Sequence, residues 1–513
     1  MKLINKKIIL GIFIVFIITV IGILIYNNKT FDKNNLNSNL RPKYHFTPES
    51  NWLNDPNGLC YYNGTFHLYY QYNPFAPCWG AIHWGHATSK DMLNWKYEDI
   101  ALKYDNEYDK DGCFSGSAIE KDGKLHIFYT GVQYHKIKYN EYNIPIQEDP
   151  NGFTPSQIHA VSEDGGYSFK KILPPLITSA NNTQMRDPKV FKTKEGFYRM
   201  VLGDTEDYKN GSIVFYKSDD LNEWEFEGKW TSDKFGWGWE CPDFFELNND
   251  DILIFSPMGA GSEEYPNIAM YLTGQMDFTN FSFNIESKGL LDEASEMYAP
   301  QTFNYYDEKK QRERRILIGW IRMSKPFDNN NNFCGMMTIP RECFIENGIF
   351  KTYPIEEFNG KRKGKIRDLK NTKNLYDIEF QIKDNFDMTL FADSSKKGLY
   401  LNYDKNESLL TIDRKDVKFE GISGAQKIEI KIDLLSDIRI IADVSVLEIF
   451  INKGEKTCSF TVYPLGENIF IDGIKYINIY SIYLNKYSLS KINFLNFDIC
   501  GALPHTPVLL LAQ

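Results

Sequence analysis

Residues 63–72 read Asn-Gly-Thr-Phe-His-Leu-Tyr-Tyr-Gln-Tyr, a tight turn running into an aromatic-aliphatic strand. Asn and Gly tolerate the positive φ that a short hairpin demands, and aromatic residues suit a pleated surface. The same pairing recurs along the chain. Asp122-Gly123 precedes LHIFYTG, Glu195-Gly196 precedes FYRMVLG, Asn249-Asp250 precedes ILIFSP, and Asp307-Glu308 precedes RRILIGWI. The turn-to-turn steps are 59, 73, 54 and 58 residues. A second signal interleaves with the first: Ser89-x-Asp91-x-x-x-Trp95, Ser162-x-Asp164 followed by Phe169, and Ser218-x-Asp220-x-x-x-Trp224, with a weaker copy near Thr273 and Asp277. Five multi-strand units with no amphipathic helix between them predict radial repetition. A five-bladed β-propeller over residues 41–345 closes such an array and hides its sheet edges. An irregular antiparallel sandwich is the alternative, and five registered copies argue against it.

What precedes each turn carries the chemistry. Asp55 lies 8 residues before Asn63, Asp187 lies 8 before Glu195, and Glu240 lies 9 before Asn249. Ser115 and Gln301 each stand 7 residues before their turns. In a propeller these positions start the innermost strands, which ring the axis, so three acids remote in sequence would share one funnel. Asp55-Pro56-Asn57-Gly58 and Asp187-Pro188 are each, in isolation, ordinary turn signals. Glu240 between Trp239 and Cys241 is less ordinary, because a carboxylate in an apolar run is rarely buried without a partner or task. Such surroundings suit a general acid. Trp52, Trp79, Trp84, Trp237, Trp239 and Trp320 crowd the same segments. Most are expected in the core, but rings around acids also suit sugar, whose apolar faces stack on them while carboxylates accept its hydroxyls. Paired carboxylates with aromatics point to glycoside hydrolysis.

The rest of the chain frames this unit. It has 513 residues, 15% of them aromatic, and a net charge of −10. The length calls for more than one domain, the aromatic content excludes general disorder, and the acidic balance argues against nucleic acid as a partner. Residues 346–370 are charged and read as a linker. Residues 371–500 alternate in short runs such as YDIEFQIK and KIEIKIDL, the pattern of an all-β sandwich. At the N-terminus, Ile8 to Tyr26 has 19 residues without a charge, preceded by Lys2, Lys6 and Lys7. That length approximately spans a bilayer and the lysines favour a cytoplasmic start. Residues 1–26 are therefore expected to anchor the chain with its bulk outside the cell, or to be secreted if cleaved, and residues 27–40 read as a polar tether. Eight cysteines and eight histidines show no zinc-type spacing, so no metal is expected. Residues 501–513 break from the style of the chain and receive no fold role.

These motifs resemble glycoside hydrolase family 32, the invertases, inulinases, levanases and related β-fructofuranosidases. The resemblance rests on Trp52-Leu53-Asn54-Asp55-Pro56-Asn57-Gly58, Gln71-Tyr72-Asn73-Pro74, Trp79-Gly80, His83-Trp84-Gly85-His86, Phe114-Ser115-Gly116-Ser117, Arg186-Asp187-Pro188, Trp239-Glu240-Cys241-Pro242, Tyr298-Ala299-Pro300-Gln301, Gly319-Trp320 and Pro340-Arg341-Glu342. Leu447 to Asn452 is similar to a sandwich-domain signature of the same family. The match covers about residues 41–500. Leu53 for a more usual Met and Ile339 for Leu are its modest departures.

The resemblance implies a retaining hydrolase of terminal β-fructofuranosides. Asp55 would be the nucleophile, Glu240 the acid and then the base, and Asp187 the transition-state stabiliser. Asn54, Gln71, Trp79, Phe114, Ser115, Arg186, Tyr298 and Trp320 would line the fructose subsite. Arg186 beside Asp187 is expected to lower that acid's pKa and keep it ionised. No cofactor is implied. The substrate is expected to be sucrose or a fructan such as inulin or levan. The alternatives are a fructosyltransferase using the same site, a hydrolase of sucrose 6-phosphate, and more remotely a surface lectin without activity. Gln133 to Gln157 reads as a long loop at the funnel mouth, either shaping leaving-group specificity or a tolerated insertion, with the insertion favoured. The sandwich domain is expected to be a structural buttress.

Overall fold

A computed structural model describes residues 40–482, apart from 150–151, 179–183, 207, 328–331, 418–420 and 422–423. The expected anchor, most of the tether and the atypical tail lie outside the described residues. Among the described residues no helix is long and apolar enough to cross a membrane.

Five sheets follow one another along the chain, each adding antiparallel strands outward from an inner one, and the short strand Phe333–Cys334 pairs in parallel with the inner strand of the first. Blade I is Asn51–Tyr62, Thr65–Asn73, His83–Ser89 and Trp95–Leu102. Blade II is Cys113–Lys121, Lys124–Tyr134, Phe153–Ser162 and Lys170–Thr178. Blade III is Arg186–Lys192, Tyr198–Glu206, Asn210–Ser218 and Glu225–Ser232. Blade IV is Gly238–Leu247, Asp250–Met258, Met270–Asp277 and Ser282–Leu290, and blade V is Met297–Asp307, Arg312–Ile321, Arg341–Glu346 and Ile349–Pro354. The protein is thus a five-bladed propeller followed by a sandwich.

The two sequence signals are the two bottom turns of blades I to IV, and blade V keeps the first of them. Asn63 and Gly64, like Asp122 and Gly123, take positive φ between the first and second strands. In blade IV the left-handed pair is Asn248-Asn249, one residue earlier than the sequence suggests, and in blade V the turn widens to Glu308–Gln311 with Gln311 at φ +52°. The Ser-x-Asp signal closes the turn between third and fourth strands. Asp91 accepts the Leu93 and Asn94 amides at 3.0 and 2.7 Å, and Asp164 accepts those of Tyr167 and Ser168, both at 3.0 Å.

The stretch 346–370, expected as a linker, is built into both domains. Ile349–Pro354 is the outermost strand of blade V, residues 356–361 form a 3-10 turn, and Arg362–Lys365 edges the first sandwich sheet. Its lysines and arginines suggested solvent, but Phe350, Lys351 and Thr352 are all buried, and several of the basic groups find carboxylates. Arg362, for example, pairs with Asp377 at 2.7 Å. The loop Gln133–Gln157 is likewise mostly ordered: blade II strands run to Tyr134 and resume at Phe153, and between them Ile137–Tyr139 pairs with Pro145–Gln147.

The sandwich has a six-stranded and a five-stranded sheet. Strand Val446–Ile451 explains how it is mounted. Leu447, Ile449 and Ile451 face the sandwich core, while Val446 and Phe450 belong to clusters shared with the propeller. Both faces are covered, so the whole strand is buried. Glu448, on the propeller side, accepts Nε2 of His45 at 2.9 Å (donor set by the tautomer), the Ile339 amide at 2.8 Å and Arg341 Nη2 at 2.6 Å.

Candidate active site

The five inner strands share one irregularity. In each, two residues oppose one on the neighbouring strand: Asn54-Asp55, Phe114-Ser115, Asp187-Pro188, Cys241-Pro242 and Ala299-Pro300. Such a bulge bends the strand and re-aims its side chains. Asp187, Cys241 and Ala299 take φ of +63°, +48° and +48°, and the proline that follows each lacks the amide that the broken ladder could not satisfy. The bulges fall at the entry of the inner strands, so the residues they carry ring one end of the axis. Beneath them the axis is filled. Gln301 accepts the Leu59 amide at 3.0 Å and donates to Gly116 O at 2.9 Å, tying blades V, I and II. Lys189 reaches Asp243 at 3.0 Å and also donates to Thr302 O, tying blades III, IV and V.

Asp55, Asp187 and Glu240 meet at this ring through shared partners. Ser115 Oγ donates to Asp55 Oδ2 at 2.6 Å, and Asn54 Nδ2 donates to Oδ1 at 3.1 Å. The Cys241 amide donates to Asp187 Oδ2 at 2.9 Å, while its thiol lies 3.4 Å from Asp55 Oδ2 and 3.6 Å from Asp187 Oδ2. Arg186 Nη2 donates to Glu240 Oε1 at 2.9 Å, and the Tyr298 hydroxyl donates to Oε2. Arg186 is itself fixed by Gln184, whose backbone carbonyl accepts at 2.7 Å and whose side chain accepts at 3.0 Å.

The expectation for Arg186 needs correcting. Its guanidinium stands 3.9 Å from Asp187 but 2.9 Å from Glu240. Burial pushes Asp187 up to about 7; Arg186 opposes this, and the Glu240 and Asp55 charges add to it. Arg186 thus limits the rise without reversing it. Burial, with the Glu240 charge adding, also raises Asp55, against the Ser115 and Asn54 hydrogen bonds.

The remaining expected residues surround these acids at two depths. Gln71 is buried and donates to Cys113 O at 3.0 Å, with its amide nitrogen 2.8 Å from the Asn57 side-chain oxygen. It holds the start of the blade II inner strand against blade I. Trp79 and Phe114 are half-buried, with ring centroids 6.0 Å apart, and Phe114 lies 6.0 Å from Phe153. Trp320, also half-buried, stands edge-on to Trp52 at 5.8 Å. Trp84 and Trp239 are fully buried and serve the core, while Trp237 is half-buried near Tyr208.

Three contributors were not singled out from sequence. Cys241 was visible in its motif, but that its amide would hold Asp187 depends on the bulge. Gln184 had no signal beyond its place two residues before Arg186. Arg322 lies 4.7 Å from the Tyr298 ring and donates to the Asn267 carbonyl at 2.9 Å and to that of Ser295. Its acceptors are main-chain atoms of other segments, which no local pattern reveals. Among the described residues no His, Cys, Asp and Glu group is arranged to hold a metal.

Converging carboxylates, an arginine, a tyrosine hydroxyl and half-buried indoles at one end of a propeller axis define an enzyme that acts on glycosidic bonds. Comparison with known proteins gives the family. Residues 45–354 match the glycosyl hydrolases family 32 N-terminal domain, and residues 352–488 match the family 32 C-terminal domain. A sucrose-6-phosphate hydrolase of Bacillus subtilis is 31% identical over 83% of this chain and 90% of its own. A raffinose invertase of Escherichia coli is 32% identical over the same shares. The structure of sucrose-6-phosphate hydrolase from Lactobacillus gasseri superposes with a TM-score of 0.76 at 26% identity, covering 89% of this chain and 97% of that one. A Bombyx mori GH32 β-fructofuranosidase gives 0.72 at 27% identity, covering 88% and 95%. The chain belongs to glycoside hydrolase family 32.

Proposed function

We propose that the protein is a retaining β-fructofuranosidase that releases terminal fructose from unphosphorylated sucrose or β-fructans outside the cell. The observation that carries this reading is the linkage of three acids from three blades, with Cys241 touching Asp55 and Asp187 and Arg186 touching Glu240. Asp55, held by Ser115 and Asn54, attacks the anomeric carbon of the fructosyl unit. Glu240 protonates the departing glycosidic oxygen, and a fructosyl-enzyme ester forms on Asp55. Glu240 then takes a proton from water, which cleaves the ester with net retention. Asp187 stabilises the positive charge that develops on the ring in both steps. Gln71, Trp79, Phe114 and Trp320 shape the pocket around the sugar.

The outside location rests on the apolar run Ile8 to Tyr26 behind Lys2, Lys6 and Lys7. A neutral substrate fits the two guanidinium groups touching the site, since Arg186 and Arg322 both donate to protein acceptors. A second reading, hydrolysis of sucrose 6-phosphate, is favoured by the names of several relatives. The test is a panel of sucrose, sucrose 6-phosphate, raffinose, inulin and levan, run with the wild type and with Asp55→Asn and Glu240→Gln. Turnover of the neutral fructosides is expected, falling by roughly 10³-fold or more in both variants without loss of fold. Turnover confined to the phosphorylated sugar, or a variant of near wild-type activity, overturns the reading.

A further inference from the structure

Connectivity decides what stands at the funnel rim. The inner strands enter at the catalytic end, so the antiparallel second strands leave there, and every connection from second to third strand lies at the rim. In blade I that connection is residues 74–82, which carry Trp79. In blade II it is residues 135–152, which carry the hairpin Ile137–Tyr139 and Pro145–Gln147.

The hairpin is a built element. Asn140 fixes its turn, its side-chain oxygen accepting the Tyr142 and Ile144 amides, each at 3.0 Å. At its base the His135 amide donates to Gly152 O at 2.8 Å and the Glu148 amide to Lys136 O at 3.0 Å. One face is docked on the Trp79 connection. Ile144 is buried with Ala76 and Ala81, and Asn140 Nδ2 lies 3.2 Å from Cys78 Sγ. Gly80, at φ +124°, has no Cβ where one would stand 2.8 Å from Ile144 and 3.0 Å from Ile146. The arm therefore grips the residues on either side of Trp79, whose ring meets Phe114 at 6.0 Å. The free side is aromatic and open: Tyr139 is 65% exposed and Tyr142 45%, with Ile137 alongside. Tyr142 has Cys78, Cys334 and Lys325 in its surroundings, while the Tyr139 ring is open to solvent, and flat aromatic faces are what sugar rings stack upon.

We propose that this hairpin is the leaving-group arm of the enzyme. Tyr139 and Tyr142, on the hairpin docked against the connection that carries Trp79, receive the sugar units beyond the scissile bond, which makes short β-fructan chains better substrates than sucrose. The inference rests on the fructosidase reading of the site and names the substrate class that site prefers.

The test compares wild type with Tyr139→Ala/Tyr142→Ala, both positions being exposed. The readout is kcat/KM for sucrose, sucrose 6-phosphate and a short β-(2,1)-fructan oligosaccharide. In the variant, kcat/KM for the oligosaccharide is expected to fall roughly tenfold through KM, with sucrose changed less than about twofold. Lys138→Ala, on the same hairpin but without a ring, is expected to leave all three unchanged. Equal losses on sucrose and oligosaccharide, no loss on either, or a loss selective for the phosphorylated sugar each overturn the proposal. Fructose release by the wild type reports on the underlying reading separately.

Discussion

Asp187 shows at the scale of one residue how the site is tuned. Its backbone is left-handed at φ +63°, a conformation that costs a non-glycine residue of order 1 kcal/mol and persists only where surroundings enforce it. Here the Thr130 hydroxyl, which accepts the Asp187 amide at 3.0 Å, and the Cys241 amide supply that enforcement. The carboxyl is buried and sits near 7 even with Arg186 pulling it down. Ionised carboxylates are required at Asp55 and Asp187, so activity is lost as pH falls through their pKa values. Arg186→Met removes the lowering charge and should move the acid limb of kcat/KM to higher pH, while Arg186→Lys should largely keep it in place. The pH profiles of the three proteins provide the check; an acid limb that stays fixed in the Met variant would show that the guanidinium does not set it. This balance was hard to read from sequence. Adjacency of Arg186 and Asp187 suggested a pair, whereas the bulge at Asp187-Pro188 re-aims the aspartate and leaves the guanidinium nearer Glu240.

At the scale of the element, the bulged inner strand is the unit that both folds and functions. Turn residues and alternating apolar runs made the five strands legible, and spacing from each turn located the acids, because both depend on local chemistry. The bulge itself left only a faint trace, the Asp-Pro, Cys-Pro and Ala-Pro pairs of blades III to V. Blade II achieves it with glycine. A Cβ on Gly116 would stand 1.9 Å from Phe128 O and 2.6 Å from Tyr129 Cα, both backbone atoms that cannot yield cheaply. Gly116→Ala should therefore destabilise by about 3 kcal/mol and displace Ser115, the donor to Asp55. A thermal unfolding midpoint and sucrose turnover both matching wild type would refute the claim that the bulge needs this approach. The linker reading of 346–370 failed for a related reason. Charge density mimics solvent exposure, and only tertiary pairing shows that Ile349–Pro354 completes blade V.

At the scale of the whole molecule, the two domains are joined by buried charge. His45, from the segment before blade I, has Nδ1 3.0 Å from Asp443 and Nε2 2.9 Å from Glu448, with all three side chains out of solvent. Arg341 of blade V completes the cluster at 2.6 Å from Glu448. Burial by itself would lower the His45 pKa; the hydrogen bonds and charges of Asp443 and Glu448 outweigh it and raise the group from 6.5 to about 9. A raised folded-state pKa means that the charged cluster stabilises fully below about 6.5 and loses that contribution as pH climbs through about 9. Histidines elsewhere act in the opposite sense. The stacked pairs His67–His86 and His126–His159, in matching strands of blades I and II, include members that burial lowers to about 4 for His67 and about 3 for His86 and His159. The unfolded chain takes up those protons first, so stability declines as pH drops below 6.5. Buried acids oppose these histidines: Asp187, raised to about 7, and Asp292, raised to about 8, keep protons that the unfolded chain releases near 3.8, so the His45 contribution is read as the difference between a variant and the wild type. His45→Gln keeps hydrogen-bonding capacity without the charge, so it should lower the midpoint most at and below pH 6.5, with the gap to wild type closing as pH climbs through about 9. Calorimetric midpoints across pH 5 to 9.5 make the comparison. An alkaline slope of equal steepness in both proteins would mean that the His45 cluster is not what couples the sandwich to the propeller.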